Sequence, residues 1–192
     1  ALSKWPTSAF RGREQAETSR QAPIERTRIF FISRKVTKKL INFAAMKGNL
    51  SDYEVMAPVG SRESLMAAIQ AGADSVYFGI GRLNMRSHSA NHFTIADLRE
   101  IAATCSAQNI KTYLTVNTVI YDNDMATMRE IIDAAKEAGI TAVIASDVAV
   151  MVYCNEVGEE VHLSTQLNIS NVEALKFYSR FADVSVLARE LN

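Results

Sequence analysis

Amides, hydroxyls and charged groups recur at six places along the chain, each just beyond a short apolar run. Glu63 follows the first run, Asn84 and Arg86 the second, Asn117 the third and Asp147 the fourth. Ser164, Gln166 and Asn168 follow the fifth, and Arg189 and Glu190 the sixth. His162 lies inside the fifth run, two residues before Ser164, so strand alternation puts both on one side. A guanidinium makes forked bonds to carboxylate or phosphate, which makes Arg86 and Arg189 the candidate anion-binding groups. The set as a whole suits a small, polar, anionic molecule. Each assignment has a plainer alternative. Arg189 could pair with Glu63 or Asp147, and a lone strand histidine could be a hydrogen-bonded core residue. No Gly-x-Ser-x-Gly elbow and no His-Glu-x-x-His pair occurs. Cys105 is expected in a helix core and Cys154 on a short helix facing away from the site. No catalytic residue and no metal site is assigned.

The elements that would position these residues repeat as strand and helix. Strands are expected over 53–58, 75–80, 111–118, 141–145, 161–165 and 184–188. Between them, Ser61, Thr94, Asp122 or Asn123, Asp147 and Asn171 are placed to start five helices. Asp97, three residues after Thr94, suggests a capping box. Gly72, Gly139 and Gly158 are placed to end helices in the left-handed conformation. Met125, Met128, Ile131, Ile132 and Ala135 recur at three- and four-residue steps, a one-sided apolar stripe. Strict alternation selects an α/β fold with a parallel sheet. The first strand-to-helix turn, Ala57-Pro58-Val59-Gly60-Ser61, lacks the Gly-x-Gly-x-x-Gly of a dinucleotide fold. Polar residues at the carboxyl ends of all six strands favour a (β/α)8 barrel. Six strands and five helices make about three-quarters of one, so the expectation is an incomplete barrel whose natural chain continues past Asn192.

Composition sets the remaining bounds. The chain has 192 residues, 48% of them apolar, with 21 basic and 21 acidic side chains. That excludes a disordered chain, and two cysteines exclude a disulfide scaffold. Low cysteine usage points to a reducing compartment, the cytoplasm. No run approaches the roughly 18 apolar residues of a membrane span. Residues 1–46 carry ten Lys/Arg and three Glu, a net of +7, and residues 47–192 carry 11 basic and 18 acidic groups, a net of −7. The expected organisation is a basic, poorly ordered extension over 1–45 and a barrel domain over 46–192. The basic arm is a candidate RNA contact.

Seven ordered motifs resemble one family. They are residues 57–65 (Ala57-Pro58-Val59-Gly60-Ser61-Arg62-Glu63-Ser64-Leu65), 71–79 and 83–86 (Leu83-Asn84-Met85-Arg86), then 115–118 and 145–147. His162-Leu163-Ser164-Thr165-Gln166-Leu167-Asn168 and Leu187-Ala188-Arg189-Glu190-Leu191 complete the order. Together they resemble the collagenase-like peptidases, family thirty-two among peptidases of unknown mechanism. The resemblance covers residues 53–192. It implies a barrel continuing into a C-terminal region with clustered cysteines, which hold an iron–sulfur cluster in several branches. No cofactor site is implied for the residues present. Some branches are named as collagen proteases. Others act in oxygen-independent hydroxylation of a transfer-RNA uridine, a ribosomal-RNA cytidine or a quinone precursor, with prephenate as oxygen source in the RNA branches. The two arginines suit a dicarboxylate such as prephenate, and no activated nucleophile is evident. Prephenate-dependent RNA hydroxylation is therefore the first expectation, and collagenase-like peptidase activity the alternative. A non-catalytic binding fragment is the third reading, and the piece alone is expected to be inactive.

Overall fold

The computed structural model describes residues 28–30, 53–85 and 93–191. Seven strands form one sheet among these residues: β1 Arg28–Phe30, β2 Met56–Pro58, β3 Ser75–Phe78, β4 Lys111–Val116, β5 Ala142–Ala145, β6 Val161–Leu163 and β7 Val184–Val186. Five helices alternate with them: α1 Arg62–Gln70, α2 Ile95–Ser106, α3 Met125–Ala138, α4 Val148–Val157 and α5 Val172–Tyr178. The sheet order is β1-β7-β6-β5-β4-β3-β2, and every neighbouring pair is parallel. The six strands from β2 to β7 with their five helices are a half-barrel, as the alternation requires.

β1 lies in the N-terminal segment expected to be poorly ordered. It pairs with β7, Arg28 opposite Val184 and Phe30 opposite Val186. The rest of residues 1–45 lies outside the described residues.

Local chemistry accounts for the element ends. Ser61 and Thr94 cap α1 and α2 with reciprocal capping boxes, the second using Asp97. Asp147 and Asn171 cap α4 and α5. Gly139 and Gly158 end α3 and α4 at φ values of 73° and 75°, where a side chain would be strained. Asp122–Asp124 forms a 3₁₀ turn, so α3 begins at Met125, slightly later than the sequence suggests.

Four strands, β3, β4, β6 and β7, end earlier than expected at their carboxyl ends, while β2 and β5 end where expected. Ile80 keeps only an isolated bridge to Phe93, and Ser164 leads into a 3₁₀ turn, Thr165–Leu167. Bonds between loops replace the ladder there.

The two sheet faces differ. Val76, Phe78, Leu114, Val116, Val143, Ala145, Val161 and Leu163 are buried in the core that also holds the helix residues Leu98, Met128, Ile132 and Met151. Full burial of each of the larger side chains among them is worth about 1.5–3 kcal/mol. The concave face carries the alternate residues, among them Tyr77, Tyr113, Thr115, Ile144 and His162. Register runs Tyr77–Tyr113–Ala142 and Thr115–Ile144–His162 across the strands.

Candidate functional site

The carboxyl ends of the strands are tied together by polar side chains. Asn117, one residue past β4, accepts the Met85 N–H at 3.2 Å through Oδ1. Its amide nitrogen donates to Ser164 Oγ at 3.4 Å. Ser164 Oγ also accepts the Gln166 N–H at 3.3 Å. One amide and one hydroxyl thus join the loops after β3, β4 and β6. Ser164 is almost fully buried beneath them.

Asn84 is buried and donates to the Ile80 and Gly81 carbonyls, both at 3.1 Å. Its side chain occupies the space a Cβ on Gly79 would take, with Asn84 Cγ only 2.3 Å from that position. Glycine at 79 is required by this close approach. The Arg82 guanidinium pairs with the buried Asp124 carboxylate, a second anchor for the same loop.

Asp147 is half-buried and fully employed. Oδ1 accepts the Ala149 N–H at 2.8 Å, and Oδ2 accepts the Ile120 N–H at 3.1 Å. It caps α4 and fastens the loop after β4.

Five other expected site residues, Glu63 among them, face solvent. Gln166, Asn168, Arg189 and Glu190 are exposed. Asn168 has φ 49°, a left-handed conformation that asparagine tolerates. The Ala188 N–H donates to the Ile169 carbonyl at 2.9 Å, so the loop bearing Gln166 and Asn168 is joined to the one bearing Arg189. Among the described residues Arg189 makes no ion pair, and neither Glu63 nor Asp147 is its partner. Glu63 sits in the first turn of α1, where the Ser61 hydroxyl and the helix N-terminal N–H hold its carboxyl below the ordinary range. Arg86 lies outside the described residues.

His162 stands on the concave face, one step below Ser164. Its Nε2 is 2.9 Å from Glu160 Oε1, and its ring lies 4.9 Å from that of Tyr113. Tyr113 in turn donates to Glu54 Oε1 at 2.7 Å, and Lys111 pairs with Glu54 Oε2 at 2.5 Å. Burial pushes the Glu54 carboxyl up, but Lys111 and Tyr113 outweigh it and leave it below its ordinary value. Sequence reasoning did not single out Glu54, Lys111, Tyr113 or Glu160. The alternation of Lys111, Tyr113 and Thr115 along β4 was the available signal.

Both cysteines lie in the core. Burial pushes the Cys105 thiol up and the Cys154 thiol up to about 12. Among the described residues no helix is long and apolar enough to cross a membrane. An open groove runs between α1 and α2, floored by Leu65, Phe93 and Ile101. It lies in the helix layer, not on the concave face, and Arg62 is bonded along it to Asp97 and Glu100.

A family model described as Peptidase family U32 matches residues 60–192. A collagenase of Porphyromonas gingivalis is 72% identical over 144 residues, 75% of this chain and 35% of that protein. A tRNA hydroxylation protein P1 of Bacillus subtilis is 34% identical over 142 residues, 72% of this chain and 33% of that protein. The chain therefore spans about a third of the length of these curated relatives. A solved U32 peptidase superposes with a TM-score of 0.57 at 13% identity, over 70% of this chain and 57% of that one. At that identity the likeness concerns the fold.

Proposed function

Because the chain belongs to peptidase family U32, we propose that its strand-end face is the anion-binding part of an RNA base hydroxylase that draws on prephenate. The observation that carries this reading is Arg189. It is exposed, it is free of ion pairs among the described residues, and it sits on a loop bonded to the one bearing Gln166 and Asn168. An exposed guanidinium with no ion pair among the described residues suits a carboxylate, which it meets with paired N–H donors. Asn84, Asn117, Ser164 and Asp147 hold the loops in place, and Gln166, Asn168, Arg189 and Glu190 remain to meet a ligand. The two thiols are buried in the core and are not offered to a ligand at this face. Relatives named as tRNA hydroxylation proteins share the matched region.

Transfer RNA from a deletion strain tests the reading by mass spectrometry. Loss of a hydroxylated uridine is expected, and an unchanged nucleoside profile would refute it. The second reading is collagenase-like proteolysis, which the 72% identical relative named collagenase favours. Gelatin cleavage by the whole protein, with the RNA profile unchanged, would establish that reading instead.

A further inference from the structure

His162 is buried on the concave face with its ring held from two sides. Its register partners are Ile144 and Val184, whereas its chain neighbours Val161 and Leu163 join the helix-facing core. Only 6% of its side chain is exposed. The Tyr113 ring covers it at a tilt of 42°. Glu160, two residues earlier on the same side of the chain, places Oε1 at 2.9 Å from Nε2.

Among the described residues, Tyr113, Glu54, Lys111 and Thr115 near this ring are otherwise engaged. Tyr113 gives its proton to Glu54, and Glu54 is paired with Lys111. Thr115, in register with Ile144 and hence level with His162, donates to the Phe78 carbonyl at 3.0 Å. Glu160 is the carboxylate that acts on the imidazole. An ionised carboxylate only accepts, so in the neutral ring Nε2 carries the hydrogen and Nδ1 the lone pair. Among the described residues Nδ1 has no hydrogen-bond partner.

We infer that His162 is a proton-accepting group of the site and Glu160 its positioning residue. Glu160 fixes the tautomer. Nδ1 then takes a proton from an O–H or N–H of a ligand bound at the strand-end face beside Ser164. The ligand keeps the electron pair of the broken bond, and the imidazolium formed is balanced by the Glu160 carboxylate. The ligand class is a small hydroxylated carboxylic acid. That part rests on the anion-site reading above, but the tautomer assignment does not.

Long-range proton–nitrogen spectra of the chain labelled at its three histidines read each ring's tautomer, and H162Q assigns the signal. The Nε2–H form is expected for His162. E160A, at a half-exposed position, removes the acceptor and should give a mixture of tautomers. E160Q, whose amide can accept or donate, should likewise lose the single form. A wild-type ring in the Nδ1–H form, or an E160A spectrum identical to wild type, overturns the pairing. Prephenate is then added while binding is followed by calorimetry. Movement of the His162 Nδ1 resonance at saturation is expected. Binding with that resonance unmoved overturns the ligand contact. Absence of any binding refutes the anion site, and the ligand contact with it, while the tautomer result still decides the pairing by itself.

Discussion

Replacing Gly79 by alanine probes the packing that shapes the loop after β3. The backbone at 79 is not in the left-handed region, so alanine is conformationally allowed. The obstacle is spatial. The new methyl would lie 2.3 Å from Asn84 Cγ, 2.6 Å from Oδ1 and 2.7 Å from Nδ2. Asn84 must move by about 1 Å or more to reach ordinary contact. That movement breaks its bonds to the Ile80 and Gly81 carbonyls. Two hydrogen bonds at roughly 1 kcal/mol each, plus overpacking strain, give a cost of about 2–4 kcal/mol. For a chain of this size that is a fall of roughly 5–15 °C in Tm. Asn84→Ala alone loses the bonds without the clash. The double variant should therefore be no less stable than Asn84→Ala, a coupling of about 1 kcal/mol or more. Thermal and urea unfolding of the four proteins measure this. A Gly79→Ala protein melting with the wild type, or two costs that simply add, would refute the contact.

Three other outcomes follow from the same geometry. Asp97 is held at a pKa of about 2 by the Thr94 hydroxyl first, then the Thr94 N–H and Arg62. A depressed carboxylate stabilises above its ordinary value, and the gain is lost as pH falls through the folded one. Asp97→Asn should therefore cost about 1 kcal/mol at neutral pH, after allowing for solvent screening. The gap to wild type should close as pH drops from 3.8 towards about 2, read by urea unfolding at each pH. Cys105 and Cys154 should resist a thiol reagent in the folded protein and both react in denaturant, and rapid labelling of either in the native state would contradict their burial. Arg189→Ala should weaken prephenate binding by roughly 10–100-fold with no change in Tm, and Arg189→Lys should recover part of it, because one ammonium replaces a two-pronged donor.

The fold was largely legible because each element carries its own punctuation. Thr94 with Asp97, Asp147, Gly139 and Gly158 are local signals, and each sits where it caps or ends a helix. The strand ends were less legible. Residues such as Ile80 and Ser164 have strand-like neighbours, but bonds between loops, not propensity, decide where the ladder stops. The site was half legible. Residue type and position placed Asn84, Asn117, Asp147 and Ser164 at the strand ends. They could not indicate that the Asn84 amide nitrogen and both Asp147 oxygens are committed to backbone partners. Such commitments depend on which loops meet in space. The Glu160–His162 pair was obscured for a different reason. Glu160 lies before the strand, and only the sheet's side alternation brings its carboxylate under the ring.

A crystal structure of the protein grown with prephenate tests the central claim most directly. Density for the ligand is expected at the strand-end face, with a carboxylate in contact with Arg189 and its body near Gln166 and Ser164. Density confined to the groove between α1 and α2, or a strand-end face left empty at a saturating concentration, would contradict the account.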